Sequence, residues 1–311
     1  MPINPIPVQE KQKEKNSVVF LVSEPSYQFS DMVIEPQLKG FIMDAISIFQ
    51  YKEKVFEEWK LGKVIKKPMN FCINFYGEPG TGKTMAANAV ASELGMKVLK
   101  VNYADIESKY VGETSKNLVS LFQYAKQENV LILFDEADAL LSRRVTDMSS
   151  AADVSVNQTR SVLLTLLDSF EGMVIFTTNF IQNYDSAFMR RIPYHIRFDL
   201  PNEAVRYQLL NHYLMDTIPN RISIAEVAKK YNGISGSDIA NATLAAALRT
   251  ARAKKEYLEQ VEFEQEIERI LLSKRANKGD TEKEKEVITE TREVTEAYAK
   301  EQLGKTGGIR L

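Results

Sequence analysis

The pattern of hydrophobic and polar positions changes along the chain and predicts four parts. Residues 1–28, which begin with a stretch rich in Pro, Lys, Glu and Gln, are predicted to be a flexible arm. Near Glu35–Leu61, apolar residues recur at mostly helical spacing, which predicts a helical region with Trp59 in the core. This helical region belongs to the second part, residues 29–201, and the other two parts follow Pro201.

From Phe71, short apolar runs alternate with segments of helical length. Continuous apolar runs such as residues 130–134 are typical of strands covered on both faces, and helix-length connections favour parallel pairing. Residues 29–201 are therefore predicted to form a doubly wound α/β domain with a parallel sheet. The predicted strands are 71–76, 97–101, 130–134, 173–178 and 194–200, and the helices between them are 83–94, 115–127 and 156–170.

After Pro201 the strand pattern stops. Four helices are predicted at 202–216, 223–231, 236–255 and 261–275, and either Ser235 or Ser237 can cap the third. Residues 202–276 are thus predicted to be a small all-helical second domain. Residues 277–311 are crowded with Glu, Lys and Thr and are predicted to be a solvated, charged tail.

Composition narrows the class of protein. The net charge of −2 gives no global reason to expect nucleic-acid binding, although a local basic groove stays open. The single cysteine, Cys72, excludes an intramolecular disulfide, and its apolar setting favours a buried thiol over a reactive one. Two histidines and no cysteine cluster argue against a zinc site. Without a signal-peptide pattern or an apolar stretch of about 20 residues, we expect a cytoplasmic protein with no membrane contact.

One loop matches G-x-x-x-x-G-K-[ST] between a predicted strand and a predicted helix. In such a loop, glycines let backbone N–H groups point at phosphate oxygens, and the helix start adds positive potential. Lys83 is then expected to reach the β- and γ-phosphates and Thr84 to bind Mg²⁺; the alternative is a glycine turn with a chance lysine. The loop residues are Gly77, Glu78, Pro79, Gly80, Thr81, Gly82, Lys83 and Thr84.

Two later strands also end in polar residues. Asp135 and Glu136 follow an apolar strand, where Asp135 is expected to hold the metal hydration shell and Glu136 to polarise an attacking water. Asn179 follows the next strand and is expected to orient that water and bind the γ-phosphate. Taken alone, such residues are also common as solvated turn formers.

These elements, in this order, resemble an AAA+ ATPase module over about Phe29–Ala253. The resemblance rests on GEPGTGKT, LILFDEAD, TTN, the arginine pair Arg190–Arg191 and GISGSDI. It implies ATP and Mg²⁺ as cofactors, a lid formed by residues 202–276, and a ring, commonly a hexamer, with ATP bound between subunits. By analogy, Arg190 and Arg191 reach the γ-phosphate of the neighbouring subunit as arginine fingers. The alternative is a surface salt-bridge pair.

A second part of the resemblance concerns the substrate. Lys109, Tyr110 and Val111 match the aromatic–hydrophobic–glycine pore loop with which related remodelling ATPases grip a polypeptide. Tyr110 can instead pack under its own loop. Residues 143–157 are either a second pore-facing loop or a disordered connection. The segment Gly236–Asp238 lacks the lid arginine of several AAA+ branches, as in the branch with protein unfoldases and microtubule severers.

Three classes of function follow. The first is a remodeller that unfolds a protein partner, with HORMA-domain proteins, including those of bacterial defence operons, as the narrowest suggestion. The second is a nucleic-acid-linked AAA+ protein such as a clamp loader, helicase loader or transposition regulator, which DNA-stimulated ATPase activity would favour. The third is a non-hydrolysing switch, against which the intact acidic, Asn and Arg residues argue.

No H-E-x-x-H protease motif occurs in the sequence. Because about 30 residues precede the module, we expect partner recognition by the arm, the pore or an adaptor.

Overall fold

The computed structural model describes residues 21–65, 71–102, 113–142, 151–179, 184–214 and 218–277. The chain divides into two compact units, residues 1–267 and residues 268–311. All of the described strands and nearly all of the described helices lie in the first unit; of the second, the described part is the end of the last helix. None of the described helices is both long and apolar enough to cross a membrane.

A six-stranded sheet forms the centre of the first unit. Its spatial order is β1-β3-β4-β5-β2-β6, and every neighbouring pair is parallel except β1 with β3. The five predicted strands are confirmed, and β1 is an addition that the pattern did not predict. The strands are β1 (Val22–Ser23), β2 (Phe71–Gly77), β3 (Val98–Val101), β4 (Leu131–Phe134), β5 (Met173–Thr178) and β6 (Tyr194–Phe198).

Helices cover both faces of this sheet and create two hydrophobic cores. One core joins Leu118 and Leu163 to Phe134 and Phe176, whose rings stack with centroids 5.1 Å apart. The other core lies on the opposite face, because alternate residues of each strand point to opposite sides. The doubly wound arrangement is therefore confirmed. The helices are α1 (Pro36–Gln50), α2 (Lys83–Glu93), α3 (Glu113–Glu128), α4 (Asp138–Leu141), α5 (Ala151–Ser169) and α6 (Ser186–Met189).

Cys72 lies on β2 and is buried. Burial in this apolar strand raises the pKa of its thiol to about 12. The thiol is therefore protonated at neutral pH and acts as a small hydrophobic group, as its sequence setting predicts.

The helices predicted after Pro201 are present, together with a short pair of parallel strands that the sequence pattern did not reveal. The third helix starts at a capping box: Ser235 Oγ accepts a hydrogen bond from the Asp238 N–H at 3.3 Å, and the Asp238 carboxylate accepts one from the Ser235 N–H at 2.6 Å. Ser235, one of the two candidates, is thus the cap. The predicted domain boundaries themselves stay predictions. The elements are α7 (Glu203–Leu214), β7 (Asn220–Arg221), α8 (Ile224–Lys230), α9 (Gly236–Arg252), β8 (Leu258–Glu259) and α10 (Gln260–Asn277).

The expectation that Trp59 lies in the core is wrong. Helix α1 ends at Gln50, and the helical region continues as a π-helical turn, Lys54–Glu58. A π turn carries more residues than an α turn, so it rotates the residues that follow it relative to the earlier apolar face. The Trp59 side chain is 67% exposed, with the ammonium of Lys54 5.8 Å from its ring centroid.

Candidate functional site

The glycine-rich loop connects β2 to α2, as its motif predicts. Gly80 and Gly82 have φ values of +77° and +96°, which residues with a side chain rarely adopt. At Gly77, an added Cβ would lie 2.1 Å from the backbone oxygen of Phe198 on β6. A glycine is therefore required where the strand passes into the loop. Thr81 closes the turn by donating a hydrogen bond from Oγ1 to the Glu78 oxygen at 2.8 Å.

Lys83, the first residue of α2, turns back into this loop. Its ammonium is buried and donates hydrogen bonds to the backbone oxygens of Gly77 at 2.8 Å and Glu78 at 2.9 Å. Burial lowers the pKa of Lys83, and the nearby carboxylates of Asp138, Glu78 and Asp135 oppose that shift. The loop therefore holds a preformed cation beside its backbone N–H groups.

The side chains of Asp135, which follows β4, and Thr84, at the end of the loop, are in contact. Thr84 Oγ1 donates to Asp135 Oδ1 at 2.9 Å, and Thr177 Oγ1 donates to the same oxygen at 2.5 Å. The Lys100 ammonium lies 2.7 Å from Asp135 Oδ2. Burial by itself raises the pKa of Asp135, but the hydrogen bonds from Lys100, Thr177 and Thr84 outweigh it and lower the pKa below its usual value. Asp135 is therefore an ionised carboxylate next to a hydroxyl.

Glu136 has an unusual backbone conformation. Its φ of +52° lies in the left-handed region, which is uncommon for a residue with a side chain. Its N–H donates to Thr177 Oγ1 at 3.1 Å, and the N–H of Ala137 donates to the Thr177 backbone oxygen at 2.8 Å. Strained residues of this kind persist where surrounding bonds hold them, often at functional sites. Thr177 thus holds both the Asp135 carboxylate and the backbone of Glu136.

Asn179 emerges from the end of β5. Its backbone N–H donates to the two carboxylate oxygens of Asp138 at 3.2 and 3.3 Å. Its half-buried side chain lines a cavity of about 270 Å³ together with the loop, Asp135 and Glu136. The structure therefore brings the loop, both acids and Asn179 to one cavity, because β2, β4 and β5 are adjacent parallel strands.

A larger cavity of about 1500 Å³ adjoins the loop on its other side. Met32, Leu38, Ile196 and Leu209 line it with apolar atoms, and Ser237 lies at its boundary with the smaller cavity. The Ser237 N–H donates to the Gly80 oxygen at 3.2 Å, so the start of α9 contacts the loop directly. A mostly apolar cleft of this kind suits a flat aromatic ring. The sequence pattern gave no sign of this cleft, since its walls come from distant segments.

The arginine pair lies apart from both cavities. Arg191 pairs with Asp168 on α5, with 2.7 Å between its Nη2 and the carboxylate, and donates to the Ala187 oxygen at 3.2 Å. Arg190 is exposed. The structure therefore does not bring these arginines to either cavity of their own chain. The predicted pore residues Lys109, Tyr110 and Val111, and residues 143–150, lie outside the described residues.

Three polar residues of the site were not singled out from the sequence. Thr177 and Asp138 lie within the runs TTN and DEAD, close to the residues that were predicted from those runs. Their position in the sequence was therefore a usable signal. Lys100 gave no such signal, because it is a lysine in a strand whose partner residue in register is Leu133. Only the three-dimensional arrangement shows that it neutralises Asp135.

We expect Thr177→Val to lower the ATP turnover by about 10- to 100-fold, because it removes the hydroxyl that orients Asp135 and the Glu136 N–H, and small misplacements of reacting groups cost this much. Steady-state hydrolysis and ATP affinity would be measured together. Thr165→Val is the matched control, since the Thr165 hydroxyl bonds to its own helix at the Ser161 oxygen. A Thr177→Val variant with normal turnover would show that the hydroxyl does not position the two acids.

Comparisons with known proteins agree with this geometry. Residues 73–200 match the family described as the ATPase family associated with various cellular activities (AAA). The chain is 33% identical over 256 residues to the 26S proteasome regulatory subunit 8 homolog of Schizosaccharomyces pombe, which covers 80% of this chain and 60% of that protein. It is 35% identical over 216 residues to the probable 26S proteasome regulatory subunit 10B of Caenorhabditis elegans, with 67% and 53% covered. It is 33% identical over 237 residues to the ATP-dependent zinc metalloprotease FtsH 2 of Thermoanaerobacter, with 73% and 45% covered.

The chain belongs to the AAA ATPase family, and this membership supports ATP hydrolysis. The chain spans about half the length of the curated relatives it matches.

Proposed function

We propose that this protein hydrolyses Mg-ATP and uses the energy to remodel or partly unfold a protein partner through the central pore of a ring. The observation that carries the ATPase step is the convergence of Lys83, Thr84, Asp135, Glu136 and Asn179 on one cavity at the ends of three adjacent parallel strands. Ligands of open α/β sheets bind at this edge.

The residues present fit ATP and Mg²⁺. The loop offers backbone N–H groups at the start of an 11-residue helix, where anions are favoured. Thr84 and Asp135 offer two oxygen atoms, already 2.9 Å apart, and oxygen is the ligand that Mg²⁺ prefers. The described residues contain no cluster of three metal-binding side chains. Two protein oxygens suit a magnesium ion that completes its coordination with phosphate and water.

Each residue then has a defined task. Lys83 exchanges the two carbonyl oxygens that it now contacts for the β- and γ-phosphates and offsets their charge. Glu136 accepts the proton of the attacking water, and Asn179 orients that water and the γ-phosphate. Bound Mg²⁺ neutralises charge on the phosphates. Lys100 keeps Asp135 ionised for metal binding, and the larger cavity takes the adenine base.

The exposure of the arginine pair supports a role across a subunit boundary. Because Arg190 is exposed and Arg191 is paired with Asp168 of its own chain, we propose Arg190 as the main finger in a neighbour's site. An arginine supplied in trans stabilises the transition-state charge. This requires a ring, and we propose a hexamer.

We expect Arg190→Ala to lower turnover by about 10³-fold, in line with arginine fingers elsewhere, while ATP affinity stays within a few-fold. Arg191→Ala should have a smaller effect, since Arg191 acts by holding the segment to Asp168. Single-turnover hydrolysis by assembled rings separates the two, and Arg275→Ala, an exposed arginine of α10, is the control. A larger loss in Arg191→Ala than in Arg190→Ala would reverse the assignment.

The protein-remodelling step is supported by the relatives. Two are named as regulatory subunits of the 26S proteasome and one as an ATP-dependent protease, so each name refers to the processing of proteins. The predicted pore loop Lys109–Val111 is proposed as the gripping element, because an exposed aromatic ring contacts side chains without reading their identity. A cytoplasmic location and a HORMA-domain partner stay predictions.

We expect Tyr110→Ala to leave basal ATPase activity within about two-fold, because gripping lies outside the chemical step, while remodelling falls at least about 10-fold. Unfolding of a fluorescent protein fused to a captured partner would measure the second quantity. Tyr110→Phe is the matched control and should keep most of the remodelling. If Tyr110→Ala instead lost ATP binding, Tyr110 would be a residue that packs within its own subunit.

A further inference from the structure

Asn74 is a fully buried amide in the strand that leads into the phosphate loop. It lies on β2, three residues before Gly77, with 0% of its surface exposed. The strand residues on either side of it, Ile73 and Phe75, are buried and apolar. A buried amide is costly unless its oxygen and nitrogen are hydrogen-bonded. The hydrogen-bond partners of Asn74 therefore indicate why a polar residue occupies this position.

Those partners lie on both neighbouring strands. Thr178 Oγ1 on β5 donates to Asn74 Oδ1 at 3.4 Å, and Asn74 Nδ2 lies 3.4 Å from His195 Nδ1 on β6. Asn74 and His195 are direct partners in the strand register. Because an amide nitrogen can only donate, His195 Nδ1 accepts, and the neutral ring carries its proton on Nε2. Polar side chains thus connect three adjacent strands.

The His195 ring lies near the segment that carries the arginine pair, and it also lines the larger cavity. Burial lowers the pKa of His195, and the backbone oxygens of Met189 and Ile192 oppose that shift. His195 Nε2 is buried, and within the described part of the chain it has no hydrogen-bond partner at normal distance. Met189 and Ile192 are the residues directly before and after Arg190–Arg191. The imidazole therefore lies close to the backbone on both sides of the two arginines.

The other end of this polar line reaches the chain's own site. Thr178 directly precedes Asn179, which lines the nucleotide cavity. Thr178 is itself 1% exposed, so its hydroxyl is fixed by the core rather than by solvent. The contacts of Thr178 with Asn74 and of Asn74 with His195 therefore link the end of β5 to β6.

We propose that Asn74 and His195 are positioning residues that hold the Arg190–Arg191 segment in a fixed relation to the end of β5, and so couple a subunit's own site to the one it completes on its neighbour. This inference rests on the proposed ring with arginines acting in trans. It predicts a defect that appears in the neighbour's site rather than in the subunit's own nucleotide binding.

The test mixes variant subunits. His195→Leu removes both ring nitrogens, Asn74→Leu is close in shape to Asn, and His195→Gln keeps an amide in this half-buried position. Alone, His195→Leu and Asn74→Leu should lower turnover by about 10- to 100-fold through misplaced arginines, with a melting temperature close to wild type. Because Asn74 lines neither cavity, Asn74→Leu should also keep the ATP affinity of the wild type. His195→Gln should retain more activity than His195→Leu.

Each variant is then assembled in equal amounts with Lys83→Ala subunits, which lack their own activity but present intact arginines. Half of the His195→Leu sites then receive arginines from a Lys83→Ala neighbour, so turnover should recover to about a quarter of that of wild-type rings. Arg190→Ala mixed in the same way is the reference for a defect in trans. If His195→Leu folds poorly, Asn74→Leu and His195→Gln carry the same test.

Recovery of the His195 or Asn74 variants on mixing supports the inference. If Arg190→Ala recovers but these variants do not, they act on their own site or on the fold, and the inference is overturned while the proposed function stands. If neither arginine substitution lowers turnover, the proposed role of the arginines in trans is overturned, and the inference that rests on it is overturned as well.

Discussion

Glu136→Gln is expected to bind ATP normally and to hydrolyse it about 10³-fold more slowly than the wild type, the range that general-base and water-positioning groups supply. The substitution keeps the size of the side chain and the strained backbone at φ +52°, so the cavity keeps its shape. It removes only the carboxylate that accepts the proton of water. Rapid-quench measurements of hydrolysis together with equilibrium ATP binding distinguish the two effects.

The Glu136→Gln variant should also retain bound partner proteins. A ring that binds ATP but does not turn it over stays in the ATP-bound state, so proteins engaged in the pore are expected to co-purify with Glu136→Gln. Glu93→Gln, a change at an exposed glutamate at the end of α2, is the control for both measurements. Normal hydrolysis by Glu136→Gln would disprove the water-activating role.

Lys83→Ala is expected to weaken ATP binding by at least about 100-fold, since charge-assisted bonds to phosphate in a buried site are among the strongest in proteins. The ammonium is buried in the loop and contacts two backbone oxygens, so it is placed beside the phosphates before they arrive. The affinity would be measured with a fluorescent ATP analogue. Lys229→Ala, at an exposed lysine of α8, should bind as the wild type does.

The same substitution also has a modest cost in stability. Removing the Lys83 ammonium frees the Gly77 and Glu78 oxygens, each of which contributes about 1 kcal/mol as a hydrogen-bond acceptor. A small fall in melting temperature without nucleotide, with ATP no longer raising it, is therefore expected. If ATP still raised the melting temperature of Lys83→Ala as much as that of the wild type, the lysine would not bind phosphate.

The sheet and the residues of the candidate site could be predicted from the sequence for a shared reason. Buried parallel strands need continuous apolar runs, and residues 131–134 and 173–176 are such runs, each followed directly by polar residues. The point at which each run ends is also the edge where the polar groups meet. The pattern that locates a strand therefore locates Asp135 and Asn179 as well.

Features that depend on distant segments could not be predicted in this way. The strands β7 and β8 have two residues each and are separated by more than 30 positions, so no periodicity reveals them. Trp59 has the spacing of a core residue, but a π turn places it in solvent. Lys100 and the walls of the larger cavity come together only when strands and helices pack. The polar line from Thr178 to His195 likewise crosses three strands.

The central claim, that ATP and its metal bind where β2, β4 and β5 end, is tested most directly by calorimetric titration of the wild-type chain with ATP, with and without Mg²⁺. We predict saturable binding with a dissociation constant below about 1 mM, the usual upper range for enzyme substrates, that Lys83→Ala weakens by at least about 100-fold. No saturable binding at millimolar ATP and Mg²⁺ would contradict the account.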